Sequence, residues 1–160
     1  MRIKRFLCGA LAFGMLLAAA GCAQRPQEPP HGAGGPSQEE EMNDALEIAV
    51  GGLVFPAKLA DTAAAQAFAQ KLPLTLSMRE LYGNEQYCYL EEALPTASVQ
   101  PEGIRCGDLM LFGSSCVVLF YEDFSTSYAY TPLGAVSDPA GLAEALGAGG
   151  VTVTFRIRAA

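Results

Sequence analysis

The chain has 160 residues, 51% of them hydrophobic, with 10 basic and 17 acidic side chains and a formal net charge of −7. This acidity, with no basic cluster in the body of the chain, excludes nucleic acid as an expected partner, because an acidic surface repels phosphate backbones. The single histidine, His31, lies near the N-terminus, so the rest of the chain lacks Ser-His-Asp and Cys-His machinery and histidine-ligated zinc. No cofactor and no metal site is expected.

The first 22 residues have the layout of a secretory signal. A basic head of Arg2, Lys4 and Arg5 precedes a nearly unbroken apolar run at 6–20, and small residues then lead to Cys22. The run of about fifteen residues is short of the roughly twenty that a spanning helix needs. The order resembles a bacterial lipoprotein signal, which implies cleavage after residue 21 and fatty-acyl chains, such as palmitate, on the Cys22 sulfur.

That resemblance implies a location in the cell envelope. Two or three acyl chains on Cys22 suffice for stable anchoring in a membrane. The protein is then expected to be extracytoplasmic, lipid-anchored to the outer face of the cytoplasmic membrane or facing the periplasm. Removal of residues 1–21 takes away three basic residues and leaves 7 basic against 17 acidic side chains, a net charge of −10.

Residues 22–43 are predicted to be a flexible tether. They are rich in Pro, Gly and Glu and hold too few apolar side chains to offset the entropy of ordering. Residues 44–160 then form one domain of about 115 residues, an ordinary size for a single hydrophobic core.

Three cysteines, Cys88, Cys106 and Cys116, fall in this domain. Disulfides are permitted in an exported compartment, and the odd number allows at most one internal pair and leaves one thiol free. The alternative is that all three serve as small core hydrophobes. No C-x-x-C spacing occurs, which excludes a thioredoxin-type redox pair.

The turn residues and the apolar patterns of the domain indicate mostly β-structure. Residues 46–50 and 53–55 flank Gly51-Gly52, which predicts a hairpin because glycine accepts the positive φ of a tight turn. Residues 74–79 alternate apolar and polar side chains, the period of a half-buried strand. A second hairpin is predicted at 108–112 and 116–121, whose second arm is apolar throughout, as in a strand that is buried on both faces or lines a barrel. Further strands are predicted at 86–90, 127–133 and 151–157, with a turn at 82–85.

Two helices are predicted between these strands. Asp61 is the expected N-cap of a helix at 62–72, which Pro73 ends. Asp138 and Pro139 are expected to open a second helix that ends at Gly147. Many short strands with two helices predict a mainly β domain, either a barrel or a sandwich, with helices at its ends.

A set of short motifs in fixed order resembles the bacterial cyclophilin-like domain family. The resemblance covers about residues 46–157 and implies a closed antiparallel cyclophilin-like β-barrel of about eight strands with two capping helices. The motifs are Leu-Pro-Leu-Thr-Leu-Ser-Met at 72–78, Asn-Glu-Gln-Tyr at 84–87, Leu-Pro at 94–95, Gly-Asp-Leu-Met-Leu at 107–111, Val-Leu-Phe-Tyr at 118–121 and Tyr-Ala-Tyr-Thr-Pro-Leu-Gly at 128–134.

The catalytic residues of true cyclophilins do not carry over with the resemblance. Those enzymes isomerise prolyl bonds with an arginine in a Phe-His-Arg stretch, a Gln-Phe-Phe strand, a tryptophan and a histidine. This chain has no tryptophan, neither motif, and no histidine in the domain. Arg79 is a candidate donor for an isomerase, although no motif marks it as one.

The aromatic side chains give the remaining candidate site. Tyrosines and phenylalanines recur in four neighbouring segments, and their plain interpretation is packing of the core and surface. The functional interpretation is a pocket at the mouth of the barrel, with tyrosine walls and a few polar groups. The candidate pocket residues are Arg79, Glu85, Gln86, Tyr87, Tyr89, Phe120, Tyr128 and Tyr130.

The leading hypothesis is therefore a lipid-anchored binding or accessory module for a small ligand or peptide, and not an enzyme. The alternative is a divergent peptidyl-prolyl cis-trans isomerase that acts on exported proteins. A third hypothesis is a purely structural envelope protein, for which no ligand would raise the thermal stability.

Overall fold

The computed structural model describes residues 46–147 and 149–158, which form eight strands and two short helices. The leader, Cys22 and the predicted tether lie outside the described residues. In chain order the elements are β1 (Leu46–Val50), β2 (Leu53–Leu59), α1 (Ala63–Ala69), β3 (Leu74–Leu81), β4 (Glu85–Tyr89), β5 (Asp108–Phe112), β6 (Cys116–Phe120), β7 (Thr131–Val136), α2 (Leu142–Leu146) and β8 (Val151–Ile157).

The strands close into an antiparallel barrel in the order β1-β2-β7-β5-β6-β4-β3-β8, which confirms the expected fold class. Gly51 and Gly52 take φ values of 59° and 85° in the β1–β2 turn, the conformation for which two glycines were predicted. All five residues of β6 are buried, in agreement with its unbroken apolar sequence.

The barrel interior is filled by the inward side chains of the strands and closed by helices. Phe68 of α1 packs edge-to-face on Phe155 of β8, with ring centroids 5.4 Å apart, and both rings are fully buried. Leu142 and Leu146 of α2 are also fully buried. Burial of each of these side chains stabilises the folded state by roughly 2 kcal/mol.

Both predicted helix starts were wrong. Thr62, rather than Asp61, is the N-cap of α1, because its Oγ1 accepts from the Ala65 N–H at 3.0 Å. The second helix begins at Leu142, because residues 138–141 form a turn in which the Asp138 carboxylate accepts from the Ala140 N–H. Gly147 is its C-cap, as predicted.

The predicted strand at 127–133 was also misplaced, since β7 covers Thr131–Val136. Residues 121–130 instead cross the outer face of the barrel and pair with the loop at 91–107. Two antiparallel bridges, Val99 with Tyr130 and Ile104 with Phe124, join these loops. A second apolar cluster, outside the barrel, is buried beneath them and contains Ile104, Cys116, Val118, Phe120 and Tyr130.

Cys88, Cys106 and Cys116 are free thiols. Cys116 is buried in the outer cluster, whereas Cys88 and Cys106 are half-buried against the main core. Their arrangement agrees with the second interpretation, small core hydrophobes, rather than with an internal disulfide. Neither of the two helices in the described part of the chain is long and apolar enough to cross a membrane.

Candidate ligand groove

A groove of about 530 Å³ lies on the outer face of the barrel, over β4 and β6. We call it the tyrosine groove. It is not at the mouth of the barrel, where the sequence had placed the candidate pocket. The alternation of β4 explains the difference: Glu85, Tyr87 and Tyr89 face outward, whereas Gln86 between them faces the interior. Its lining residues are Leu81, Tyr82, Asn84, Glu85, Tyr87, Tyr89, Phe112, Cys116, Val118, Phe124, Ser125, Thr126, Ser127, Tyr128 and Tyr130.

The floor of the groove is β6, which lies between β4 and β5 in the sheet. Cys116 and Val118 face outward from it, opposite Tyr89 and Tyr87 of β4 respectively. These side chains are buried because the loop at 121–130 covers the strand. The sheet thus supplies a rigid apolar base, and the loop supplies the other side.

Two sets of aromatic rings form the sides. On β4, Tyr87 and Tyr89 meet edge-to-face with centroids 6.1 Å apart. On the other side, Phe112 contacts Tyr128 and Tyr130 at 5.8 and 5.6 Å. Edge-to-face pairs hold rings in defined orientations beyond what area burial gives. Tyr89 and Tyr128 nevertheless remain 60% and 62% exposed, so both keep ring surface available to a ligand.

Acceptor groups lie at the end of the groove formed by the β3–β4 turn. Glu85 is half-buried, and burial raises the pKa of its carboxyl above the ordinary value of 4.5. Burial and the charge of Glu85 together raise the pKa of the nearby Tyr130 hydroxyl. The side-chain oxygen of Asn84 is buried and has no hydrogen-bond partner among the described residues. This end therefore offers oxygens rather than charged donors.

The structure places five of the eight sequence candidates in the lining: Glu85, Tyr87, Tyr89, Tyr128 and Tyr130. Phe120 is fully buried beneath it and packs against the ring of Tyr130 at 5.5 Å.

Two of the candidates lie elsewhere. Arg79 is on β3 beside the groove, with its guanidinium carbon 5.3 Å from the centroid of the Tyr87 ring. Gln86 is fully buried inside the barrel, where its Nε2 donates to the carbonyl oxygens of Leu146 and Gly149 at 2.6 and 2.7 Å. Gln86 therefore holds the segment after α2 through these two hydrogen bonds and does not reach the groove.

Sequence reasoning did not select Asn84, Phe112 or the loop residues 125–127. Phe112 joins the site because β5 pairs with β6 and the covering loop returns over both strands, a non-local arrangement. The one sequence signal was the turn chemistry at 82–85, which identified the turn but not its contribution to a site. Tyr82 takes a φ of 58° there, an uncommon value for a residue other than glycine.

The lining contains one thiol, that of Cys116. Burial raises the pKa of the Cys116 thiol to about 11, so it stays protonated at neutral pH and is a poor nucleophile. Across residues 46–147 and 149–158, no group of three His, Cys, Asp or Glu side chains is arranged to hold a metal ion.

Comparison with known proteins agrees with the barrel fold. The chain is similar to the hypothetical protein AF2241 from Archaeoglobus fulgidus, whose solution structure is known, with a TM-score of 0.50 and 19% identity. The match covers 76% of this chain and 99% of that one. No curated protein matches the chain. The sequence model of the Cyclophilin-like family matches residues 48–156, from β1 to the end of β8. The chain therefore belongs to the cyclophilin-like family.

Proposed function

We propose that this protein is an extracytoplasmic, lipid-anchored cyclophilin-like domain that acts as a binding or accessory module for a small ligand or peptide. The observation that carries the proposal is the tyrosine groove, a concave site with a rigid base, aromatic sides and a few acceptor oxygens. Small-molecule sites typically have volumes of about 300–1,000 Å³, mostly apolar walls and a small number of placed polar groups.

The exposed aromatic surface supports a binding role. Tyr82, Tyr89 and Tyr128 are 88%, 60% and 62% exposed, and all three line the same groove. Scattered single aromatics on a surface need no explanation, whereas a contiguous set in a concavity is typical of a site that contacts another molecule. Tyrosine also gives large contact area at a low cost in side-chain entropy.

A ligand screen on the full chain tests this proposal. Ligands that occupy the groove should raise the melting temperature, by the equivalent of about 2.7 kcal/mol at one hundred times Kd. A variant that fills the groove, Ser127→Trp, should lose these shifts. Ser137→Trp is the matched control, because Ser137 is also exposed but does not line the groove.

Two results would count against the proposal. Ligands that stabilise both tryptophan variants equally bind somewhere other than the groove. A broad screen of small molecules and short peptides with no stabilising member would favour the purely structural role instead.

The alternative, a divergent prolyl isomerase, draws on one observation. Arg79 stands beside the apolar groove over Tyr87, where a cation could polarise an X-Pro amide of a bound peptide. The barrier to be lowered is about 20 kcal/mol. A proline-peptide isomerisation assay on the same preparations separates the two functions: catalysis above background that disappears in Arg79→Ala would replace the binding role with the enzymatic one.

Membrane anchoring through Cys22 is the second half of the proposal and depends on the leader sequence. We expect Cys22→Ala to abolish fatty-acid labelling and to move the protein from the membrane fraction to the medium or periplasm, because the acyl chains are its attachment. Metabolic labelling with a palmitate analogue and cell fractionation measure both effects. Cys8→Ala, within the leader, is the control and should leave both unchanged. Labelling that persists in Cys22→Ala would remove the anchor from the proposal.

A further inference from the structure

The charged side chain that lines the tyrosine groove is negative, although the Arg79 guanidinium lies beside the groove. Its lining contains one carboxylate, Glu85, and no lysine or arginine. No other described residue forms a salt bridge or side-chain hydrogen bond with that carboxylate. The site therefore has an uncompensated, half-buried negative group among aromatic rings.

The neighbouring acceptors have the same preference. Asn84 lines the groove next to Glu85, and its side-chain oxygen is buried there without a hydrogen-bond partner among the described residues. A buried acceptor without a donor costs about 1–3 kcal/mol, so a ligand that brings a donor recovers that free energy on binding. The Glu85 carboxylate favours a donor that carries positive charge, and the Asn84 oxygen can accept from the same donor.

The aromatic rings favour the same kind of ligand. A cation over the face of a tyrosine or phenylalanine is attracted by the quadrupole of the ring, and recognition sites for ammonium groups combine several such rings. The chain already shows that this wall accepts a cation, since the Arg79 guanidinium lies 5.3 Å from the Tyr87 ring centroid.

We propose that the tyrosine groove binds a small organic ammonium cation, whose charged group lies against Glu85 and Asn84 and whose apolar body lies between the tyrosines and Phe112. This inference rests on the proposed binding function and names its ligand class. The volume of about 530 Å³ suits a small molecule of this kind. A lysine side chain of a peptide has the same head group, and the experiment separates the two sources.

Four probes that differ in charge and size test the proposal on the full chain. The probes are phenethylammonium, its neutral counterpart 2-phenylethanol, the anion 3-phenylpropionate and an N-acetylated lysine tripeptide amide. Intrinsic tyrosine fluorescence can follow binding, because the chain contains no tryptophan. We expect phenethylammonium to bind about five- to tenfold more tightly than the alcohol, in line with one cation–aromatic contact plus one ion pair, and the anion to bind least.

Variants assign the charge preference to one side chain. Glu85→Gln should lower the affinity for phenethylammonium toward that for the alcohol, because only the cation–aromatic contact then favours the cation, and should leave the affinity for the alcohol unchanged. Glu122→Gln removes the same charge from an exposed site outside the groove and should change neither affinity. Arg79→Ala removes a competing cation and should keep or strengthen the binding of phenethylammonium, whereas an isomerase role predicts loss of function in that variant.

The pH dependence gives an independent readout. The pKa of Glu85 is raised by burial, so cation affinity should fall as the pH drops through that raised pKa, while the amine stays protonated. Glu85→Gln should remove this dependence. Glu85 should also contribute stability that is fully present below pH 4.5 and is lost as the pH rises through the raised pKa, because ionisation of this carboxyl is disfavoured in the folded protein. Glu85→Gln should therefore be at least as stable as the wild type at pH 7, which excludes unfolding as the cause of weak binding.

The outcomes separate this inference from the proposed function. Equal binding of phenethylammonium and 2-phenylethanol overturns the cation preference and leaves the groove a binding site. Binding of the lysine tripeptide alone overturns the assignment to a small molecule. Absence of binding by all four probes overturns the inference, whereas the proposed function then depends on the wider ligand screen.

Discussion

Gly134→Ala is expected to lower the free energy of unfolding by about 3 kcal/mol or more, among the larger effects of a single methyl group. Gly134 is on β7, where it pairs with Leu59 of β2 on one side and Leu109 of β5 on the other. A Cβ atom at this position would overlap the carbonyl oxygen of Lys58, which is backbone and has no rotamer to change. To make room for this atom, β2 and β7 would have to move apart within the closed barrel.

The control is Gly103→Ala. Gly103 does not have a positive φ, and a Cβ atom there would have the Phe124 carbonyl oxygen at 3.8 Å, an ordinary contact. Urea unfolding of the full chain, followed by circular dichroism, measures both variants. Equal stability of the two would show that β2 and β7 separate at little cost, in contradiction to the close approach at Gly134.

Gln86→Leu is expected to destabilise the protein by about 2 kcal/mol, because two carbonyl oxygens lose their donor. Those oxygens belong to Leu146, at the end of α2, and to Gly149, just before β8. The apolar replacement also removes the Gln86 Oε1 atom, which is buried and has no hydrogen-bond partner within 46–147 and 149–158, and this offsets part of the loss. The remaining cost should fall mainly on the segment between α2 and β8.

Gln100→Leu is the matched control, because Gln100 is exposed and its weak contact with the Thr126 carbonyl oxygen is 3.5 Å long. It should change stability by less than about 0.5 kcal/mol. Hydrogen exchange of the full chain gives the regional readout, with faster exchange expected at 142–151 in Gln86→Leu. Unchanged exchange in that segment would mean that the Gln86 amide does not hold it.

Gln86 and Tyr87 belong to separate parts of this molecule, the interior and the groove. The two residues are adjacent in the chain, yet Gln86 binds the segment after α2 inside the barrel, whereas Tyr87 lines the tyrosine groove on the outer face. We therefore expect Gln86→Leu to change stability far more than ligand affinity. The opposite pattern is expected of Glu85→Gln.

The sequence alone determined the elements whose signals are local. The glycine pair of the first hairpin, the alternation in β3 and β8 and the apolar run of β6 depend on neighbouring residues only, and all four appear where the sequence predicts them. The predicted N-cap of α1 was wrong by one residue. Asp61 and Thr62 are both good cap residues, but the Thr62 hydroxyl accepts from the Ala65 N–H and also donates, at 2.8 Å, to the Pro132 carbonyl oxygen.

Tertiary structure decided where the site lies. Period-two alternation states that Gln86 and Tyr87 point to opposite sides of β4, but not which side is the interior; closure of the barrel settles this. The groove also needs the loop at 121–130 to cross β6 and bring Tyr128 and Tyr130 to Phe112, contacts between residues far apart along the chain. Local patterns fix which residues can form a strand, whereas pairing across the sheet decides which of their side chains meet.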